Sequence, residues 1–138
     1  MKISGGCYCG AIKYESLGDI QASIQCHCRE CQYITGGHPN VLVIVPLDKF
    51  NFVKGKPKTY KRKDIEMAMS RLFCKDCGTA IGTRNPNRPN SIILKVGTFD
   101  DPSVFKPEIA IFTIDKQKFH YIEDLSLIHI SEPTRRVF

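Results

Sequence analysis

The residues best suited to chemistry in this 138-residue sequence are seven cysteines, which occur in three short groups. Clustered thiols are typical zinc ligands. Structural zinc sites take four ligands, whereas catalytic sites take three and keep one position open. Seven thiols therefore divide into one closed site and one open site. The groups are Cys7 and Cys9; Cys26, Cys28 and Cys31; and Cys74 and Cys77.

Two arrangements of these groups fit the spacing. In the first, the outer pairs form a four-cysteine cluster (Cys7, Cys9, Cys74 and Cys77), and the central group forms a three-cysteine cluster (Cys26, Cys28 and Cys31). In the second, Cys28, Cys31, Cys74 and Cys77 form a zinc ribbon. Ribbons usually have a gap of about 15–20 residues, but 42 residues separate Cys31 from Cys74. The spacing therefore favours the first arrangement and leaves the second open.

Short strands and one helical turn must position these thiols. Residues 3–7 and 11–16 are predicted strands, and alternate residues of a strand share a face, so Cys7 and Cys9 can approach one metal. A predicted strand over 20–25 leads directly to Cys26. Residues 28–34 fit a short helix, in which Cys28 and Cys31 lie on one face.

The remainder of the chain is predicted to be mainly β. The β-branched run 41–45 is typical of a buried strand. Segments 50–53 and 58–61 flank the turn 54–57 and predict a hairpin, and 65–73 is expected to lead as a strand into Cys74. Further strands are predicted over 79–83, 91–96 and 109–114. The fold class is therefore a single domain of curled antiparallel sheets with one helical turn at the three-cysteine cluster.

Length and composition suit one globular domain, with 42% apolar residues. No run of about 18 apolar residues occurs, so we expect no membrane span. The first residues lack the apolar core of a secretory signal. We therefore expect a cytoplasmic protein, because clustered cysteines in a reducing compartment bind metal more often than they form disulfides.

The formal net charge of +6 raises the question of a nucleic-acid partner. Seven thiolates and two Zn²⁺ ions together contribute −3 and reduce this charge to +3. The basic stretch lacks an aromatic stacking platform, so we interpret it as a solvated hairpin and expect no nucleic acid. It comprises Lys54, Lys56, Lys58, Lys61, Arg62 and Lys63.

The last residues are expected to be foreign to the domain. Residues 125–135 match the in-frame translation of a transposase sequencing adapter, so we interpret 125–138 as a non-native tail. The alternative is a genuine short terminal strand over 125–130. The predicted domain is therefore residues 3–124.

Four ordered segments, spread over about residues 3–120, form a recognisable set of motifs. They are Gly5-Gly6-Cys7-Tyr8-Cys9-Gly10 with Tyr14; Cys26-His27-Cys28-Arg29-Glu30-Cys31 with Gly36; Phe73-Cys74-Lys75-Asp76-Cys77-Gly78-Thr79; and Val96-Gly97-Thr98-Phe99-Asp100-Asp101-Pro102. Together they resemble the signatures of the glutathione-dependent formaldehyde-activating enzyme family, a resemblance that extends to centromere protein V.

This resemblance implies a mostly β zinc fold of the β-tent type. It also implies two zinc ions per chain: a structural zinc at the four-cysteine cluster and a catalytic zinc at the three-cysteine cluster. The implied reaction joins formaldehyde to glutathione and is of the carbon–sulfur lyase type. The sequence departs from the family late in the chain, at Ala110-Ile111-Phe112 and at Phe119, which concerns substrate identity rather than the metal sites.

The chemistry of three thiolates on zinc suggests how such a site would act. The cluster would carry a net charge of −1, which disfavours a potent zinc hydroxide and suits a thiol substrate activated as thiolate beside a small aldehyde. A proton shuttle or a supporting contact fits His27, and a substrate contact or simple charge compensation fits Arg29.

Other polar and aromatic side chains receive simpler interpretations. Arg84 and Arg88 are taken as solvated surface residues, although they could grip a substrate carboxylate. Tyr14 and Phe73 are taken as packing residues, and His120 as an ordinary polar residue of a strand. Two rival functions remain open: a non-catalytic zinc-binding interaction module whose partner surface is the basic stretch, and an enzyme for another thiol or electrophile.

Overall fold

The structure is a computed structural model that describes residues 2–122 and 128–130. Within these residues the chain forms short strands, one α-helix and several single 3₁₀ turns. The elements are β1 (Ile3–Gly6), β2 (Lys13–Ser16), β3 (Ala22–Cys26), α1 (Arg29–Thr35), β4 (Asn40–Pro46), β5 (Phe50–Lys54), β6 (Lys58–Tyr60), β7 (Ser70–Phe73), β8 (Ala80–Arg84), β9 (Ser91–Lys95), β10 (Ile109–Ile111) and β11 (Ile128–Ile130).

The strands form two sheets. The smaller sheet has the order β1-β2-β5, and the larger has the order β11-β10-β3-β4-β9-β8-β7-β6. Neighbouring strands are antiparallel, except that β10 runs parallel to both β3 and β11. The predicted fold class, mainly β with one short helix beside a cysteine group, is confirmed.

Strand β4 lies at the centre of the large sheet and supplies side chains to both of its faces. Val43 and Val45 pack into a core shared with the small sheet. Leu42 and Ile44 face a second cluster that includes the three-cysteine cluster. A strand that is buried on both faces has a nearly continuous apolar sequence, which explains the β-branched run.

The predicted hairpin over residues 50–61 is wrong. Strand β5 pairs with β2 in the small sheet, whereas β6 pairs with β7 in the large sheet. The ring of Phe50 lies 5.4 Å from that of Tyr14 and 4.9 Å from that of Phe52, so aromatic packing holds β5 against β2. The turn between the two strands therefore joins the sheets rather than closing a hairpin.

The predicted strand over 65–73 is only partly present, because β7 begins at Ser70. Before it, Arg62 binds the carboxylate of Asp64 through Nε and Nη2, at 2.7 and 2.5 Å. This local ion pair belongs to a series of bends and turns, which composition alone did not reveal.

No helix among the described residues has the length and hydropathy needed to cross a membrane. Within the predicted non-native tail, Ile128–Ile130 pairs with β10, and the other residues of 125–138 lie outside the described part of the chain. The foreign origin of this tail stays a prediction.

Candidate metal centres

The four-cysteine cluster is assembled from two turns that lie far apart in the sequence. The Sγ atoms of Cys7, Cys9, Cys74 and Cys77 all lie within 4.8 Å of one another. Cys7 follows β1, and Cys74 follows β7. The cluster therefore joins the edge of the small sheet to a turn of the large sheet.

Each turn is closed by backbone hydrogen bonds and a glycine. Gly10 N donates to Cys7 O at 3.1 Å, and Gly78 N donates to Cys74 O at 2.8 Å. Both glycines have positive φ, 82° and 77°, a conformation that side chains disfavour. The two turns thus present their thiols toward one point.

The spacing of these thiols suits a zinc ion. Four sulfurs at a Zn–S distance of about 2.3 Å in a tetrahedron lie about 3.8 Å apart. The Sγ atom of Cys9 lies 3.7 Å from that of Cys7 and 3.8 Å from that of Cys74. The chemistry and spacing of these donors fit a metal ion such as zinc.

Thr79 supports the four-cysteine cluster from outside. Its hydroxyl lies 3.1 Å from Cys77 Sγ and accepts a hydrogen bond from Tyr8 N at 3.1 Å. Hydrogen bonding from Thr79 lowers the pKa of Cys77 to about 6. The protein therefore favours the thiolate form that a metal requires at this position.

The three-cysteine cluster lies where β3 ends and α1 begins. Cys26 is the last residue of β3, Cys28 is the N-cap of α1, and Cys31 lies in its first turn. Cys31 N donates to Cys28 Sγ at 3.2 Å, so one ligand atom also caps the helix. All three thiols are buried, and their Sγ atoms lie within 4.8 Å of one another. They could hold a second metal ion.

Polar side chains of the large sheet surround Cys31. Asn40 Nδ2 points at Cys31 Sγ from 3.8 Å, and Asn40 Oδ1 accepts a hydrogen bond from Lys95 Nζ at 2.8 Å. Hydrogen bonds from Cys26 and Cys28, together with the charges of Lys95 and Arg71, lower the pKa of Cys31. Burial in turn lowers the pKa of Lys95 to about 8. Negative charge at this cluster is thus compensated by two cations.

A buried histidine pair ties the cluster to the end of the described domain. His27 is fully buried, and its Nδ1 lies 3.0 Å from His120 Nδ1. Since His120 Nδ1 accepts a hydrogen bond from Gln117 N at 3.1 Å, the proton between the rings belongs to His27. His120 Nε2 then donates to Gly37 O at 2.7 Å. His27 therefore faces the protein interior, in a supporting position.

Gln32 makes a second connection to the same segment. Its Nε2 donates to His27 O at 2.8 Å and to Asp115 O at 3.0 Å. The backbone around the three thiols is therefore fixed by side chains from both α1 and residues 115–120.

A pocket of about 240 Å³ opens beside the three-cysteine cluster. Cys26, Cys31 and Asn40 lie in its wall, and most of its other lining is apolar. Phe112 contributes to this lining and has a left-handed backbone, with φ of 54°, which is unusual for an aromatic residue. The three-cysteine cluster thus borders a space large enough for a small molecule.

Of the other predicted site residues, only Arg88 lines the pocket, whereas Arg29 and Arg84 lie outside its lining. Arg29 is exposed and lies over the ring of Tyr33 at 5.1 Å, away from the pocket. Arg84 Nη2 donates to Pro89 O at 3.1 Å, whereas Arg88 lines the pocket. Tyr14 is a buried packing residue.

Sequence reasoning missed the residues that surround the thiols without being cysteine. His120 lies 93 positions from its partner His27, and no local pattern connects them. Asn40, Arg71 and Lys95 reach the cluster through strand pairing and packing, which the sequence did not specify. One local signal was present in the sequence. The chain departs from the family motif at Ala110-Ile111-Phe112, and two of these residues line the pocket.

Two comparisons place the chain among known proteins. The family model described as glutathione-dependent formaldehyde-activating enzyme matches residues 2–115. A crystal structure of a Rhodobacter sphaeroides protein from a structural genomics programme is similar, with a TM-score of 0.56 and 21% identity. That alignment covers 72% of this chain and 88% of the other. At this identity the structural similarity supports the fold alone.

Proposed function

Because the chain belongs to the glutathione-dependent formaldehyde-activating enzyme family, we propose that it is a cytoplasmic zinc enzyme of the carbon–sulfur lyase type. It joins a thiol, glutathione or a similar one, to formaldehyde or a related small electrophile. The functional domain is residues 3–124. One zinc ion at the four-cysteine cluster is structural, and one at the three-cysteine cluster is catalytic.

The observation that carries this proposal is the position of the three-cysteine cluster in the wall of the pocket. Two of its thiols line that space, whereas the four-cysteine cluster does not. Three ligands leave one of the four zinc positions open. Zinc at this cluster would supply a soft electrophilic centre that favours the thiolate form of a substrate.

The reaction is an addition without oxidation or reduction. The substrate sulfur forms a bond to the aldehyde carbon, the carbonyl π electrons move to oxygen, and the proton released by the thiol is replaced by one taken up at that oxygen. The product is a hydroxymethyl thioether. The chain has to hold the two reactants together, limit water in the pocket and stabilise the developing oxyanion.

Polar groups in the pocket wall suit the last of these roles. Asn40, Arg71 and Thr83 line the pocket together with the thiols, and the guanidinium of Arg71 is held by Glu30. Donors that are fixed in advance stabilise charge without having to reorganise during the reaction. The apolar part of the lining limits competing hydration of the aldehyde.

The proposal is tested by the rate at which the protein exchanges ¹³C-formaldehyde between its free and thiol-bound forms, measured by NMR. Zinc-loaded protein is expected to accelerate exchange with a thiol above the spontaneous rate. Cys28→Ser should remove this acceleration while keeping the fold, because Cys28 lies outside the four-cysteine cluster.

The rival function is a non-catalytic zinc-binding module. The exposed lysines of residues 54–63 favour it, because they could form a partner surface. Two bound zinc ions with no acceleration for any thiol would support the module and refute the enzyme.

A further inference from the structure

The pocket lining follows strand β4 of the large sheet through its alternate residues Asn40, Leu42 and Ile44. Cys26 pairs with Asn40 at one end, and Ile44 pairs with Ile93 further along. Ile44 lies four positions after Asn40 in β4, which corresponds to about 13 Å at 3.3 Å per residue. A ligand with its sulfur at the thiols must therefore extend across this distance to fill the pocket.

The middle of the pocket is apolar. Leu42, Ile44, Met69, Ile93 and Phe112 line it, and all five side chains are buried. A peptide chain lying across them would leave amide groups without partners, and unpaired polar groups in an apolar site weaken binding. The lining therefore favours a hydrocarbon segment over a tripeptide.

The far end of the pocket carries a positive charge. Arg88 and Asn85 line it from the turn between β8 and β9. Within the described part of the chain no acidic side chain pairs with Arg88, whereas Arg71, nearer the thiols, is paired with Glu30. Asn85 Oδ1 accepts a hydrogen bond from Asn87 N at 2.9 Å, which directs its amide oxygen into the turn.

Electrostatics give the ligand a direction. At the cysteine end of the pocket, the guanidinium of Arg71 is already paired with Glu30, and the ammonium of Lys95 is hydrogen-bonded to Asn40. The guanidinium of Arg88 attracts an anion at the other end, where a carboxylate can accept two parallel hydrogen bonds. Sulfur and carboxylate are therefore held at opposite ends.

We propose that the thiol used at this site is an extended ω-mercapto acid, in which a hydrocarbon chain separates the sulfur from a terminal carboxylate. This inference rests on the proposed function, since it takes the substrate sulfur to lie at the three-cysteine cluster. Glutathione, with two carboxylates, an ammonium group and two peptide bonds, matches the apolar middle less well.

The test combines binding and turnover with a graded set of thiols. Zinc-loaded protein is titrated calorimetrically with 3-mercaptopropionate, 8-mercaptooctanoate, 8-mercaptooctanol and glutathione, and formaldehyde exchange is measured with each. Because Arg88 is exposed, we expect 8-mercaptooctanoate to bind up to about fivefold more tightly than the alcohol, as for one solvent-screened ion pair. We also expect 8-mercaptooctanoate to bind more tightly than 3-mercaptopropionate does and more tightly than glutathione does.

Two arginine variants locate the carboxylate contact. Arg88→Met should reduce the preference for the acid over the alcohol to near unity. Arg84→Met is the matched control, because Arg84 lies on the same hairpin but outside this pocket lining, and it should retain the preference.

The outcomes distinguish the inference from the proposed function. Equal binding of acid and alcohol, tighter binding of glutathione, or a preference that survives Arg88→Met would overturn the inference. Absence of formaldehyde exchange with every thiol would instead overturn the proposed function, even if the acid bound as expected.

Discussion

Single buried polar groups connect the core to the candidate site. Tyr14 is the one tyrosine of five that is buried, and its hydroxyl lies 2.7 Å from Thr98 Oγ1. Thr98 Oγ1 donates its own proton to Lys95 O at 2.7 Å, so Tyr14 must donate to Thr98. Lys95 in turn binds Asn40 beside the three thiols. This chain of contacts fixes the end of β9 next to the cluster.

Replacement of Tyr14 by Phe tests this connection. The Tyr14→Phe variant should lose about 1 kcal/mol of unfolding free energy, the usual net value of one buried hydrogen bond. Burial raises the pKa of Tyr14 from 10.0 to about 12. Its contribution to stability is therefore present below pH 10 and lost as the pH rises through 12.

The measurement is an ultraviolet titration of tyrosine ionisation together with chemical denaturation. In the wild type, one phenol should ionise only near pH 12, and the variant should lack that step. A wild-type titration without the late step would contradict the assignment.

At the residue scale, the sequence predicted the cysteines and little of what surrounds them. Metal ligands are recognisable because cysteine is chemically distinctive and its spacing is local. His120, Asn40 and Lys95 are ordinary residue types, and they reach the three thiols through strand register and packing. The sequence interpretation of His120 as a simple polar strand residue missed its contact with His27.

At the scale of elements, the short helix α1 depends on its neighbours. It has only seven residues, and isolated helices of that length are marginal in water. Glu30 forms ion pairs with Arg71 of β7 and, at 2.8 Å, with Arg62, which lies in the segment after β6. On its other side, His27 and Gln32 bind residues 115–120.

Removal of the Glu30 carboxylate should loosen this attachment. Glu30→Gln is expected to cost about 1.5–3 kcal/mol, because it leaves the mostly buried Arg71 guanidinium without its anionic partner. Asp64→Asn removes an exposed partner of Arg62 and should cost about 0–1 kcal/mol. Urea denaturation of the two variants tests the ranking, and equal losses would refute it.

Replacement of His120 should affect one metal centre more than the other. His120→Ala removes the partner of His27 and is expected to weaken metal binding at the three-cysteine cluster by about tenfold or more, as for other groups that orient ligands. Chelator competition measures both sites, and Lys118→Ala, an exposed neighbour, is the control. Equal weakening of both sites, or none, would contradict the positioning role.

Element types were more predictable than element partners. The positions of β1, β2, β3 and β9 follow the local patterns that predicted them, because alternation and turn residues act over a few positions. The pairing of β5 and β6 did not follow, because a turn also permits its two strands to enter different sheets. The pairing of β5 with β2 is accompanied by packing of Phe50 against Tyr14, a contact between residues 36 positions apart.

At the scale of the whole molecule, the two cysteine clusters have different structural tasks. The four-cysteine cluster connects the small sheet to the large one and closes a loop of 64 residues between Cys9 and Cys74. A metal ion bound there would contribute directly to the folding free energy. The three-cysteine cluster belongs to one sheet and its attached helix and borders the pocket. Loss of the first metal should therefore unfold the protein more readily than loss of the second.

The most direct test of this division is the metal content per chain under zinc saturation, measured by native mass spectrometry. We expect two zinc ions for the wild type. We expect one for Cys28→Ser, with near-ultraviolet circular dichroism retained, and one for Cys9→Ser, with a clear loss of stability. A wild type that saturates at one ion, or a Cys28→Ser variant that loses both ions, contradicts this division.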